Sequence, residues 1–186
     1  MNRLSLRLRL LVTGASAVLI ALAMAAFGLS ALFAAHVERR ALGELSVQLD
    51  QVLAGVALDS EGALTLTKAP ADPRFERPLG GLYWQIEIDG RLLRSRSLWD
   101  YALPLPVDEL VDGAEHVHRI PGPSDETLLT VERSVVLPSR LGGGTIRAAV
   151  AMNRANLREA ERDFVGDLLP YTALLAGALI LAGWVQ

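Results

Sequence analysis

Cysteine is absent from all 186 residues, which excludes disulfides, structural thiolate metal sites and cysteine nucleophiles together. Missing too is any catalytic constellation: the chain has no Gly-x-Ser-x-Gly elbow, no zinc-protease histidine pair and no kinase box. Gly142-Gly143-Gly144 lacks the Lys and Ser/Thr of a phosphate-binding loop and reads as a flexible turn. There is no basic excess. All 21 acidic residues follow position 37, whereas Arg3, Arg7 and Arg9 precede it. The bulk of the chain is therefore acidic, and nucleic acid is not an expected partner. Charge is wholly lacking from two stretches, Leu10–Ala35 and Leu168–Val185, and these organise the rest.

A run of roughly 20 apolar residues crosses the hydrocarbon core as a helix, because in lipid the backbone must satisfy its own hydrogen bonds. Three arginines and no acid precede the first run, so the positive-inside rule keeps that tail in the cytoplasm and sends the chain outward. The second run then brings it back, with Trp184 suited to an interfacial anchor. A cleavable signal peptide shares the basic start and small residues, but its apolar region is shorter and no second span would close the chain. The expected layout is a cytoplasmic basic tail over 1–9, a transmembrane helix over 10–35, an exported domain over 36–167 and a second transmembrane helix over 168–186. Gln186 follows with no basic flank, so the expectation is a piece of a longer protein. The exported part, roughly 130 residues, suffices for one modest core.

Within that part, His36–Val56 continues the first helix as an amphipathic stretch with an apolar seam at Leu42, Leu45, Leu49, Val52 and Val56. Traced back in register, the seam meets Ala35, Ala31, Gly28, Met24, Ala21, Ala17 and Gly14. Small residues let helices approach closely in lipid, and Leu/Val spaced three and four apart drive heptad packing in water. The seam is read as a parallel homodimer contact, the alternative being that its outer half packs on its own domain. Residues 58–152 read mostly as strands, and 153–167 as a helix entering the membrane with Asn153 as its N-cap. Lys68–Pro78 and Asp100–Pro106 are proline-bearing surface loops, and Val107–Asp112 a helical turn with its acids outward.

Leu82–Ile88, Asp89-Gly90 and Arg91–Trp99 form a hairpin signal. Pairing outward from the turn sets Ile88 opposite Arg91, Ile86 opposite Leu93 and Trp84 opposite Ser95. Leu82, Trp84, Ile86 and Ile88 then share a core face, and Tyr83, Gln85, Glu87, Arg94 and Arg96 a polar one. Tyr83, Gln85, Arg94 and Arg96 are candidates to hold an anionic ligand; a solvated or internally paired face is the alternative. His116 and His118, two apart in a strand, share a face and are candidate zinc or nickel ligands with Glu115 or Asp125 nearby. Asp108, Glu109, Asp112 and Glu115 form an acidic cluster that could draw divalent cations, or simply a solvated face.

Two apolar spans around an acidic exported domain, with Asp72-Pro-Arg-Phe-Glu-Arg-Pro, Gly81-Leu-Tyr-Trp-Gln-Ile and Leu93-Arg-Ser-Arg-Ser-Leu-Trp-Asp100, resemble the N-terminal sensory region of PhoQ/FeuQ-like bacterial sensor histidine kinases. The resemblance implies an α+β, PDC-like (Cache-related) periplasmic sensor domain with a central antiparallel sheet and a long membrane-proximal helix. It also implies the inner membrane of a Gram-negative cell, a homodimer, a periplasmic ligand or cation, and a cognate response regulator reached through a missing cytoplasmic part. ATP and Mg2+ belong to that missing kinase part, and no cofactor is expected in the chain itself. The acids at 108–115 are sparser than the dense acidic surface of such cation sensors. The same input could serve a diguanylate cyclase or chemoreceptor, or the chain could be a non-signalling two-pass envelope protein.

Overall fold

The computed structural model describes residues 6–58, 64–68, 70–88, 90–106, 113–139 and 143–185. It divides into two units, residues 39–156 and the pair of segments 1–38 and 157–186.

The unit at 39–156 is α+β. Its sheet has five antiparallel strands in the order β4-β3-β7-β6-β5, with β3 at Leu82–Ile88, β4 at Arg91–Arg94, β5 at Glu115–Pro121, β6 at Thr127–Val136 and β7 at Thr145–Asn153. Two short strands, β1 (Val56–Leu58) and β2 (Leu64–Leu66), pair separately. The hairpin register follows the pairing outward from Gly90: Ile88 faces Arg91 and Ile86 faces Leu93, and Ser95 N–H donates to the Trp84 carbonyl at 2.9 Å. Gly90 has φ 74°, a conformation that a β-branched or bulky side chain resists.

Strand alternation gives the sheet two faces. One carries Leu82, Trp84, Ile86, Leu129, Val131, Ile146, Ala148, Val150 and Met152, all buried. The outer part of helix α1 (Leu6–Ala54) belongs to this side. Ala41, Leu45, Leu49 and Val52 are buried, and Arg133 and Glu115, on the same sheet face, reach Asp50 and Ser46 of the helix. The seam expectation is corrected here. Leu45, Leu49 and Val52 are fully buried within the chain's own domain and are not open to a second copy, while Leu42 is half-buried. A leucine stripe at heptad spacing is satisfied by any apolar surface, and a sheet face within the same domain is available without bringing two chains together.

Gly55 ends the helix. Its N–H donates to Gln51 and Val52, its carbonyl accepts from Thr67, and a Cβ there would collide with the Lys68 carbonyl. The proline-bearing 70–78 stretch is not only a surface loop, since a 3-10 turn at Pro73–Phe75 buries Phe75. Asp72 caps that turn and receives the Arg74 guanidinium at 2.7 Å, with Glu44 of α1 on the same nitrogen at 2.8 Å. The Arg74 hydrogen bond, opposed in part by burial, holds the Asp72 carboxyl below its ordinary range.

In the other unit, Leu11, Ala15, Val18, Leu22, Ala26, Ser30 and Phe33 of α1 are half-buried, and Phe33 stacks on Phe164 of α2 (Ala155–Val185) with centroids 4.1 Å apart. Gly14, Ala17, Ala21, Met24, Gly28, Ala31 and Ala35 lie exposed on the other side of α1. Both helices are long and apolar enough to cross a membrane. Pro170 sits inside α2, and Thr172 Oγ1 just beyond it bonds the carbonyls of Leu168 and Leu169.

Candidate functional site: a buried polar cluster under the 98–106 strap

The second face of the sheet carries Tyr83, Gln85, Ala149, Ala151, Thr130, Glu132, Arg147, Leu128, Ile120, His116 and His118, as the strand registers require. Tyr83 and Gln85, expected on an open polar face, are buried. The cause is the segment 98–106, which lies over them as a strap: the sequence predicts Asp100–Pro106 as a surface loop and Leu98-Trp99 as the end of the hairpin, whose second strand instead stops at Arg94. Leu98 and Leu103 form one apolar cluster with Tyr83, Ile120, Leu128, Ala149 and Ala151. Alternation tells which residues share a face; it does not tell whether that face is covered.

Two of the groups considered for a ligand, Gln85 and Arg94, hold the strap. Gln85 Oε1 accepts from Leu103 N–H at 2.8 Å, and its amide nitrogen donates to Leu103 O at 3.4 Å. Exposed Arg94 donates to the carbonyls of Asp100 and Tyr101 at 3.0 and 3.1 Å. Arg96, in the 3-10 turn Arg96–Leu98, is exposed. The Tyr83 hydroxyl donates to Glu126 at 2.6 Å, and Asn153 donates to the same carboxylate while its own Oδ1 caps α2 through Ala155 N–H at 2.7 Å. Burial first, then the Glu126 contact, push the Tyr83 hydroxyl well above its ordinary range.

A group with a raised folded-state pKa contributes stability that is complete below its unfolded value, about 10 for tyrosine, and is lost as pH rises through the folded one. Tyr83→Phe is therefore expected to cost about 1 kcal/mol at neutral pH and to flatten the alkaline loss of stability. Urea midpoints at neutral pH and above pH 10 check this, and equal alkaline losses in both proteins would refute it.

Further along the same face lies the candidate site. Glu132 is fully buried. Arg147 Nε donates to its Oε1, and Arg147 Nη2 donates to the carbonyl of Pro106 at the end of the strap. One guanidinium thus neutralises the acid and pins the strap. The other oxygen, Oε2, lies 3.5 Å from His118 Nε2, outside hydrogen-bond geometry, and has no hydrogen-bond partner. The buried Thr130 hydroxyl has none either. The imidazoles of His116 and His118 have centroids 6.3 Å apart at 27°.

Glu115, read as a possible partner of those histidines, is on the opposite face, where it accepts from Ser46 at 2.5 Å and from Arg133. Burial disfavours the charge on Arg133, but its bonds to Asp50 and Glu115 outweigh that and leave its pKa above the ordinary value. Asp125 sits in the β5–β6 turn at φ 54°. Asp108, Glu109 and Asp112 lie outside the described residues. Sequence reasoning missed Glu132, Thr130 and Arg147; the available signal was Thr130, Glu132 and Ser134 alternating along a strand opposite the His-x-His pair.

A separate groove of about 470 Å3 is lined by Pro78, Leu79, Leu98, Trp99, Asp100, Tyr101 and Pro123. Leu79 and Trp99 have φ 54° and 56° and are exposed, a strained backbone for bulky residues.

These features define an α+β domain with an antiparallel sheet in a chain that also has two long apolar helices. Over 89 residues the chain is 36% identical to the sensor protein kinase CarS of Pseudomonas aeruginosa, a stretch covering 45% of this chain and 20% of that protein. The chain thus matches about a fifth of that relative's length. No protein-family model and no solved structure matches it.

Proposed function

We propose that this chain is the extracytoplasmic sensing and transmembrane region of a two-component sensor histidine kinase, with a PDC-like domain on the periplasmic side of the inner membrane. The observation that carries the reading is the similarity to a sensor protein kinase in a chain whose two long apolar helices flank an α+β domain. The finer PhoQ/FeuQ-like assignment rests on the motifs at 72–100. In this reading the chain works as a homodimer in lipid. Its seam is the exposed stripe of Gly14, Ala17, Ala21 and Gly28, now without the leucines of the outer helix. A stimulus stabilises one arrangement of α1 and α2 over another, and a cytoplasmic kinase passes the change to a response regulator.

The absence of native cysteine permits a direct topology test. Ser124→Cys is expected to react with a membrane-impermeant maleimide in cells with a permeabilised outer membrane, and Asn2→Cys only after inner-membrane lysis. The opposite pattern refutes periplasmic sensing. The reading frame after Gln186 is expected to continue into a basic HAMP-like segment, a histidine-bearing helix and an ATP-binding domain; a stop codon or an unrelated domain removes the kinase reading.

A further inference from the structure

We propose that His116, His118 and Glu132 form a binding site for a divalent transition-metal ion of the zinc type, with Arg147 orienting the carboxylate. The proposal goes beyond the sensing assignment and stands without it.

The placement follows from register. β5 carries His116 and His118 two residues apart, hence on one face, and β6 sets Glu132 opposite His116 and Thr130 opposite His118. Residues directly opposite in an antiparallel pair have Cβ atoms about 4.5–5.5 Å apart. Two nitrogen donors and one carboxylate are thereby brought onto adjacent positions of a rigid sheet, leaving a fourth position for water. Imidazole and carboxylate donors suit zinc and its first-row neighbours.

Two donors bound at about 2.0–2.1 Å to one tetrahedral ion sit roughly 3.3–3.4 Å from each other. His118 Nε2 and Glu132 Oε2 are 3.5 Å apart, close to that spacing. Glu132 is fully buried, yet Oε2 has no hydrogen-bond partner, and the buried Thr130 hydroxyl beside it has none. Leaving such groups unmet costs on the order of 1–3 kcal/mol each, so the arrangement suits a ligand that engages the second carboxylate oxygen. Arg147, bonded to the other carboxylate oxygen and anchored on Pro106 O, has the place of the partner that fixes a ligating carboxylate. As a cation it also opposes a second positive charge, which sets the affinity below that of closed structural zinc sites.

Among the described residues no three donors are yet gathered at ligating distance. The imidazole centroids at 6.3 Å stand slightly wider than a shared ion needs, and both side chains are partly exposed, so the site requires His116 to turn toward Glu132 when the ion binds.

The test is a Zn2+ titration of the tag-free full chain in detergent, by competition with a chromophoric chelator at neutral pH. The expected result is one ion per chain at micromolar Zn2+, with His116→Ala and His118→Ala each weakening binding at least tenfold. His36→Ala, which removes the remaining histidine, should bind as the parent does. Glu132→Gln could unfold the domain by stranding Arg147, so the histidine variants decide. Absence of binding at micromolar Zn2+, unchanged affinity in His118→Ala, or loss of binding in His36→Ala would each overturn the site.

Discussion

Arg147→Ala is expected to destabilise the 39–156 domain by about 3–5 kcal/mol, the usual cost of breaking a buried pair by removing one partner. Arg147 is the group bonded to Oε1 of a carboxylate that has no exposed surface, so its loss leaves Glu132 without that partner. The same substitution releases the Pro106 carbonyl, hence the end of the strap over Leu128, Ala149 and Ala151. Urea unfolding of the detergent-solubilised chain, followed by tryptophan fluorescence, measures the loss directly. A double variant with Glu132→Gln should recover part of it, since an uncharged amide strands less charge. An unchanged midpoint in Arg147→Ala would mean that the pair contributes nothing and that the strap is held elsewhere.

Leu49→Asp is expected to prevent stable folding of the same domain. Leu49 is fully buried between Leu45 and Val52 on the helix face that meets the sheet. An aspartate there loses the packing of a leucine and buries a charge beside the fully buried Leu45 and Val52. Leu49→Ala alone should cost about 2–5 kcal/mol, against a total of about 5–15 kcal/mol for a domain of ordinary stability. Leu49→Asp should therefore give a proteolysed or molten 39–156 region, whereas Ala21→Leu, on the exposed stripe, should leave the domain's unfolding midpoint untouched. Limited proteolysis and thermal melts of the two variants separate the possibilities. A folded Leu49→Asp domain with altered inter-chain cross-linking would return the outer helix to a dimer seam.

The contrast between these two positions shows where sequence reasoning runs out. Both lie on one continuous stripe when positions three and four apart are traced along α1. The pattern states that the outer leucines need an apolar surface, and a partner helix and a sheet from the same chain satisfy that need equally well. Only the tertiary fold decides between them, and it supplies the sheet. The β3–β4 hairpin is the opposite case. Asp89-Gly90 between alternating runs defines its own register through local backbone sterics, and the observed pairs Ile88–Arg91 and Ile86–Leu93 are those. Asn153 at the head of α2 is similar, since an N-cap needs only its own side chain and the next turn.

The candidate site divides along the same line. His116 and His118 on one face follow from a two-residue period and were legible at once. Their neighbour was not. Glu115 adjoins them in sequence and Glu132 lies 14 residues from His118, yet it is Glu132 that shares their face, because β5 and β6 pair with His116 opposite it. The fate of Tyr83 and Gln85 likewise required knowing that 98–106 crosses their face, a matter of where Leu98 and Leu103 find apolar partners.

Residue order alone was enough to establish the two apolar helices, the hairpin register, the strand-rich acidic domain and the His-x-His pair. Those depend on solvent preference, turn sterics and periodicity, all acting within a few residues. Folding in three dimensions was needed to turn the outer α1 leucines to their own sheet, to cover the second sheet face, and to bring Glu132 to the histidines. Each of these depends on non-local pairing, in which several partners meet the local pattern equally and the packing of the whole domain selects one.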